Sequence, residues 1–243
     1  MAALAWLVTG AFIDPRLDLA GQRWLGVATW IVLLTLLRRE SALVRAQTLG
    51  VVALAASLEV LAKFLELYAY RLDNIPAFVP PGHGLVFLAS LTLARWRPFA
   101  IRPLRSQALV IALGGAWAIW GLLLAPRSDT AGALFFVLWL GLMVGGRAPM
   151  LLTSAFVVTS IVELGGTASG SWTWAVTDPA GLLEAGNPPS GVAGIYGFVD
   201  IVVLAATRPL ASVSSVTSTS VASVASVTSV TSVTSEWSSQ PAS

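Results

Sequence analysis

The chain has 243 residues, 56% of them hydrophobic and only 11% charged, with a mean hydropathy of +0.80. A soluble domain carries about 25% charged residues, so this composition excludes one and points to an all-α polytopic membrane helix bundle. The net charge of +2 comes from thirteen Arg and one Lys and gives no ground for a nucleic-acid partner. The absence of Cys excludes disulfides and thiolate chemistry, and a single His excludes multi-histidine metal sites.

In chain order, the opening MAALAWLVTGAFI lacks the basic start and cleavage site of a signal peptide and is expected to be a short first helix. Apolar runs follow at 24–37, 47–70, 83–96, 107–125, 131–146, 149–165 and 191–207. That makes eight transmembrane helices with the first segment and seven without it. Some runs are shorter than the roughly 20 residues that cross hydrocarbon, so tilt or neighbouring turns must complete them. Arg38, Arg39 and Arg45, then Arg95, Arg97, Arg102 and Arg105, then Arg147 and Arg208, mark alternate junctions; the intervening loops hold one Arg or none. By the positive-inside rule the arginine side is cytoplasmic, both ends included, in a bacterial plasma membrane. From 211 to 243 Val recurs about every third residue among Ser and Thr. This low-complexity tail is expected to be disordered, and a frameshift or repeat expansion would leave the same pattern.

The densest set of ionisable and aromatic residues lies at 59–84. At about 100° per residue, Glu59, Lys63 and Glu66 share one helical stripe, joined by Tyr70 if the helix continues. Three such groups cannot face lipid. The stretch ends in a proline-rich turn and His83, the only histidine.

This stretch has an echo. Glu59 is followed at nine and eleven residues by Tyr68 and Tyr70, and Glu163 at nine and eleven by Trp172 and Trp174. Pro80-Pro81-Gly82 and Pro188-Pro189-Ser190 then each open the next helix, a position that suits proline. The offset of about 104–108 residues equals four helices, which predicts a duplication: 1–106 and 107–210, each a four-helix unit, in the manner of parallel membrane repeats. At the same offset Lys63 matches Thr167 and Glu66 matches Gly170, so the first copy keeps the charges.

Candidate catalytic residues are Glu59, Glu66, Glu163, Asp200 and His83. A carboxyl buried in an apolar helix suits a proton donor, and His83 suits a relay. A plain helix-locking role for the Glu-Lys pair is the competing reading. Candidate substrate-binding residues are Lys63, Tyr68, Tyr70, Trp172, Trp174 and Tyr196, since aromatic rings stabilise cations and otherwise anchor at interfaces. No metal and no cofactor are expected. The partners expected are the lipid bilayer and an apolar lipid substrate. Asn74, Asn187 and Ser190 read as turn and cap residues.

Tyr68-Ala69-Tyr70, followed by Ile75-Pro76-Ala77-Phe78-Val79-Pro80-Pro81-Gly82-His83, resembles the integral membrane carotenoid-biosynthesis proteins of the carotenoid hydratase type. The VPPGHG and NPPSG stretches are also similar to those of uncharacterised actinobacterial multi-pass membrane proteins. The first resemblance implies a membrane enzyme acting on a polyisoprenoid, with Glu59 in the place of its acid. The residues themselves leave several classes open: acid-initiated hydration or cyclisation of a double bond, a small proton-coupled transporter, a Schiff-base chromophore on Lys63, or a non-catalytic scaffold.

Overall fold

The computed structural model describes residues 1–146 and 148–209. Arg147, read above as an inner junction, and the 211–243 tail lie outside the described residues. Met1–Val203 forms one compact unit, and it holds the candidate site described below.

Among the described residues the chain is mostly helical. In order come α1 (Ala2–Ile13), a 3-10 turn, α2 (Leu19–Leu37), α3 (Ala42–Phe64), strand β1 (Tyr68–Tyr70) and α4 (Val79–Arg95). After the one-turn α5 (Arg97–Ala100) come α6 (Pro103–Leu123), α7 (Thr130–Val144), α8 (Pro149–Ser169), strand β2 (Trp172–Trp174) and α9 (Ala193–Ala206). The starts follow local chemistry. Asp18, Ser41 and Asp129 cap α2, α3 and α7 by accepting the backbone N–H of Gly21, Val44 and Gly132. Pro opens α4, α6 and α8, where its missing N–H has no helical partner to lose. Gly170, in the left-handed conformation at φ 81°, closes α8.

Helices α2, α3, α6 and α8 are long and apolar enough to cross a membrane, the mark of a membrane protein. Helices α1, α4, α7 and α9 have 12, 17, 15 and 14 residues. The outer faces are oily: Trp24, Phe64, Leu104 and Leu123 are all exposed. In water such a surface would aggregate; against lipid tails it is solvated. Helix α8 is the most enclosed of the four long ones, packed by α4, α1, α6 and α7. One core joins Leu33, Leu85 and Val158. A second surrounds the fully buried Trp139 with Leu152 and Phe156, and the Trp139 indole N–H donates to the Leu152 carbonyl at 3.0 Å.

Two local expectations are corrected. The 47–70 run is not one helix: α3 stops at Phe64, Glu66 turns at φ 51°, and Tyr68–Tyr70 is a strand because its backbone pairs with β2. The second double proline does not open its helix. Pro188 and Pro189 precede the first residue of α9 by five and four residues, in a turn pinned to Asp129, whose carboxylate accepts the N–H of Gly186 and of Ser190, both at 2.7 Å.

Candidate functional site

Helices α3 and α8 each turn one stripe inward. On α3 it runs Thr48, Val52, Ala55, Glu59; on α8 it runs Leu152, Ala155, Thr159, Glu163, Gly166. Steps of three and four keep these side chains on one face. Each stripe includes a buried glutamate near the C-terminal end of its helix, with Glu59 6% and Glu163 4% exposed.

Past each helix the chain becomes a three-residue strand, and the two strands pair antiparallel. Tyr68 lies opposite Trp174, Ala69 opposite Thr173, and Tyr70 opposite Trp172. Side chains alternate across a strand, so the four rings share one face while Ala69 and Thr173 are exposed on the other. The rings pack edge to face, with centroids 5.0 Å apart for Tyr68–Trp174, 5.6 Å for Tyr68–Tyr70 and 6.3 Å for Tyr70–Trp172.

This ladder reaches back to both glutamates. The Tyr70 hydroxyl, eleven residues after Glu59, donates to its Oε1 at 2.5 Å. The Trp174 indole N–H, eleven residues after Glu163, donates to its Oε2 at 3.1 Å. Trp172 gives that same oxygen a second N–H at 3.0 Å, and the Tyr196 hydroxyl on α9 donates to Oε1 at 3.1 Å. The remaining oxygen of Glu59 lies 3.4 Å from His83 Nε2, near the start of α4. The His83 and Tyr196 rings, with centroids 5.5 Å apart, join the two clusters.

These groups line a cavity of about 430 Å³ whose remaining wall is almost wholly apolar, including Leu7, Leu58, Val86, Phe87 and Phe135. Asp200, one turn beyond Tyr196 on α9, is part of that wall and only 5% exposed. Among the described residues no hydrogen bond reaches its carboxyl.

The cavity therefore gathers Glu59, Tyr68, Tyr70, His83, Glu163, Trp172, Trp174, Tyr196 and Asp200. Lys63 and Glu66 stay outside it. Lys63 forms an ion pair with the exposed Asp73, and that ammonium holds the Asp73 carboxyl below its usual range. Glu66 sits past the helix end on the exposed turn. The expected three-charge stripe is thus one inward glutamate with two outward charges, because α3 ends before Glu66 can return to the stripe.

Sequence reasoning missed several supports. A Cβ on Gly166 would lie 1.9 Å from the Trp172 ring, so only glycine lets that indole lie against α8. Arg71 donates to the carbonyls of Asp14 and Leu17, and Arg127 to those of Trp174 and Ala175. Both arginines brace the loops around the strand pair, and nothing in their spacing marks Arg127 as a partner of a strand 47 residues away. The Trp174 N–H donates to Asn187 Oδ1 at 3.0 Å, a partnership the turn reading of Asn187 left unseen. Asp178 accepts the N–H of Leu183, Leu182 and Ala180. These bonds, that of Leu183 first, hold its carboxyl below the usual range.

No protein-family model, no curated protein and no solved structure matches this chain.

Proposed function

We propose that this chain is an integral membrane enzyme that acts on a polyisoprenoid or carotenoid-like lipid by acid-initiated hydration or cyclisation of a double bond. The observation that carries the reading is the convergence of a proton-exchanging pair, Glu59 with His83, and a second carboxylate, Glu163, on one ring-lined apolar cavity. Carboxyl and imidazole both give and take protons near neutral pH. The Glu59–His83 pair gives a proton to one alkene carbon, whose π electrons form the new C–H bond. The positive charge left on the neighbouring carbon lies among the Tyr and Trp rings and the Glu163 carboxylate, which lower its energy. In hydration, water adds its oxygen to the cation and returns a proton to the pair. In cyclisation a second double bond adds instead, and a proton is lost to the pair. Atoms and charge balance in both. The resemblance of the 68–83 segment to carotenoid hydratases points to the same substrate class.

The proposal extends to topology: eight crossings in two four-helix units, with the arginine junctions cytoplasmic and the strand pair facing outward. The order helix, helix, helix, strand, helix occurs twice, and the Glu, ring, ring spacing repeats at 104 residues. Short helices cross by tilt and by thinning of the bilayer around them.

The experiment is expression in a lycopene- or squalene-producing host with product analysis by mass spectrometry. A hydrated or cyclised product that disappears in Glu59→Gln is the expected result. No new product from the native chain would overturn the reading, and an unchanged product in Glu59→Gln would remove the assigned acid. A proton-coupled transporter is the second reading, favoured by one observation: Asp200 is a carboxyl buried in the cavity wall, and intramembrane carboxyls mark ion and proton pathways. Proton-driven uptake into proteoliposomes that is lost in Asp200→Asn would establish it.

A further inference from the structure

Indole nitrogens only donate hydrogen bonds, and two of them meet on one oxygen of Glu163 while a phenol donates to the other. Three polar groups thus hold the Glu163 carboxyl from both of its oxygens. Among the described residues no cation pairs with it. Lys63 is engaged by Asp73, Arg71 and Arg127 by loop carbonyls, and His83 stands beside Glu59. The cavity thus holds a buried carboxyl group with no cation beside it, lined by four packed aromatic rings, with a second buried carboxyl, Asp200, that has no hydrogen-bond partner among the described residues. Such a carboxyl is costly to ionise in an apolar setting; a cation seated beside it removes that cost, and aromatic rings favour a soft organic cation over a hydrated metal ion.

We infer that this cavity binds a lipophilic organic cation, an ammonium centre on a compact apolar body, seated between Glu163 and the rings of Tyr68, Tyr70, Trp172 and Trp174. The inference rests on the cation-stabilising reading of the same site: an ammonium has the charge and shape of the carbocation in the proposed reaction. It adds that the site holds a stable cation at rest, as a competitive inhibitor or as a natural ligand. A cavity of about 430 Å³ accommodates one substituted ammonium with a ring or short chain.

The test is calorimetric titration of the full-length protein in nanodiscs with benzyltrimethylammonium and with neopentylbenzene, its neutral carbon isostere. The ammonium is expected to bind about tenfold or more tightly than the isostere, the worth of a desolvated cation–π contact with charge pairing. Glu163→Gln should remove that preference, whereas Lys63→Ala, outside the cavity, should keep it. Equal binding of the two compounds by the native chain overturns the inference without any variant, so misfolding of Glu163→Gln cannot hide the answer. Titration with phosphatidylcholine nanodiscs against phosphatidylglycerol nanodiscs separates a free ammonium from a lipid headgroup: ammonium binding weakened only in phosphatidylcholine assigns the site to the headgroup. The product assay stands apart from both. Ammonium binding without product sinks the enzyme, and product without ammonium binding sinks this inference.

Discussion

The two carboxylate clusters share a plan and differ in chemistry. Glu59 and Glu163 occupy matching stripes, and each is reached by a ring eleven residues on. Glu59 receives a phenol and an imidazole, groups that exchange protons. Glu163 receives two indoles, which do not, and one phenol. One scaffold thus surrounds its two buried carboxyls with different partners, an imidazole on one side and two indoles on the other. The rings also explain the packing beneath them. At Trp172 the helix below needs Gly166, whereas the residue 104 positions earlier, in the helix before Tyr68, is Ala62.

The largest effect that would test this contrast is on stability. Glu163→Leu leaves two indole N–H groups and a hydroxyl without acceptors, at about 1–3 kcal/mol each, so a loss of about 3 kcal/mol or more is expected in thermal unfolding in detergent. Glu59→Leu strands the Tyr70 hydroxyl and the His83 ring nitrogen, the latter partly exposed to water, and should lose less, about 2 kcal/mol. The reverse order would break the assignment of Glu163 as the more firmly held group.

Next comes the packing difference. Gly166→Ala should destabilise by about 1–3 kcal/mol, the range for overpacking, and should shift tryptophan fluorescence as Trp172 is displaced. Gly165→Ala, whose Cβ would meet Phe12 at an ordinary 3.9 Å, should change neither. Equal effects at the two positions would mean that the indole does not lie against α8.

Smaller effects separate what lies outside the cavity. Lys63→Ala and Glu66→Gln should leave product formation unchanged, Lys63→Ala losing only the small stability of an exposed ion pair, whereas His83→Gln should abolish product. Loss of product in Lys63→Ala would return the charge stripe to the site.

The smallest contrast is between the outer loops. Asp73 and Asp178 both titrate below their unfolded value, so each contributes stability present above about pH 4 and lost as pH falls through its folded value. Asp73 is held by the Lys63 ammonium and Asp178 by backbone N–H groups. Added salt should therefore raise the Asp73 pKa toward the ordinary value and barely move that of Asp178, as read by NMR titration of the two carboxyls.

Composition alone marked a helical membrane protein, because burying so much apolar surface with so few charges leaves lipid as the only solvent. The Glu, ring, ring spacing brought most of the site residues into view, since a helix followed by a strand repeats whatever its sequence repeats. Tertiary structure decided the rest. Whether 65–70 continued as helix depended on backbone partners that β2 supplies from 104 residues away. That pairing stopped α3, took Glu66 out of the stripe and set the tyrosines against the tryptophans. The choice of partner for each glutamate was equally non-local. Glu59 could have paired with Lys63 one turn along, yet the fold gave it Tyr70 and His83, because a buried carboxylate is satisfied by whichever donors packing brings within hydrogen-bond reach.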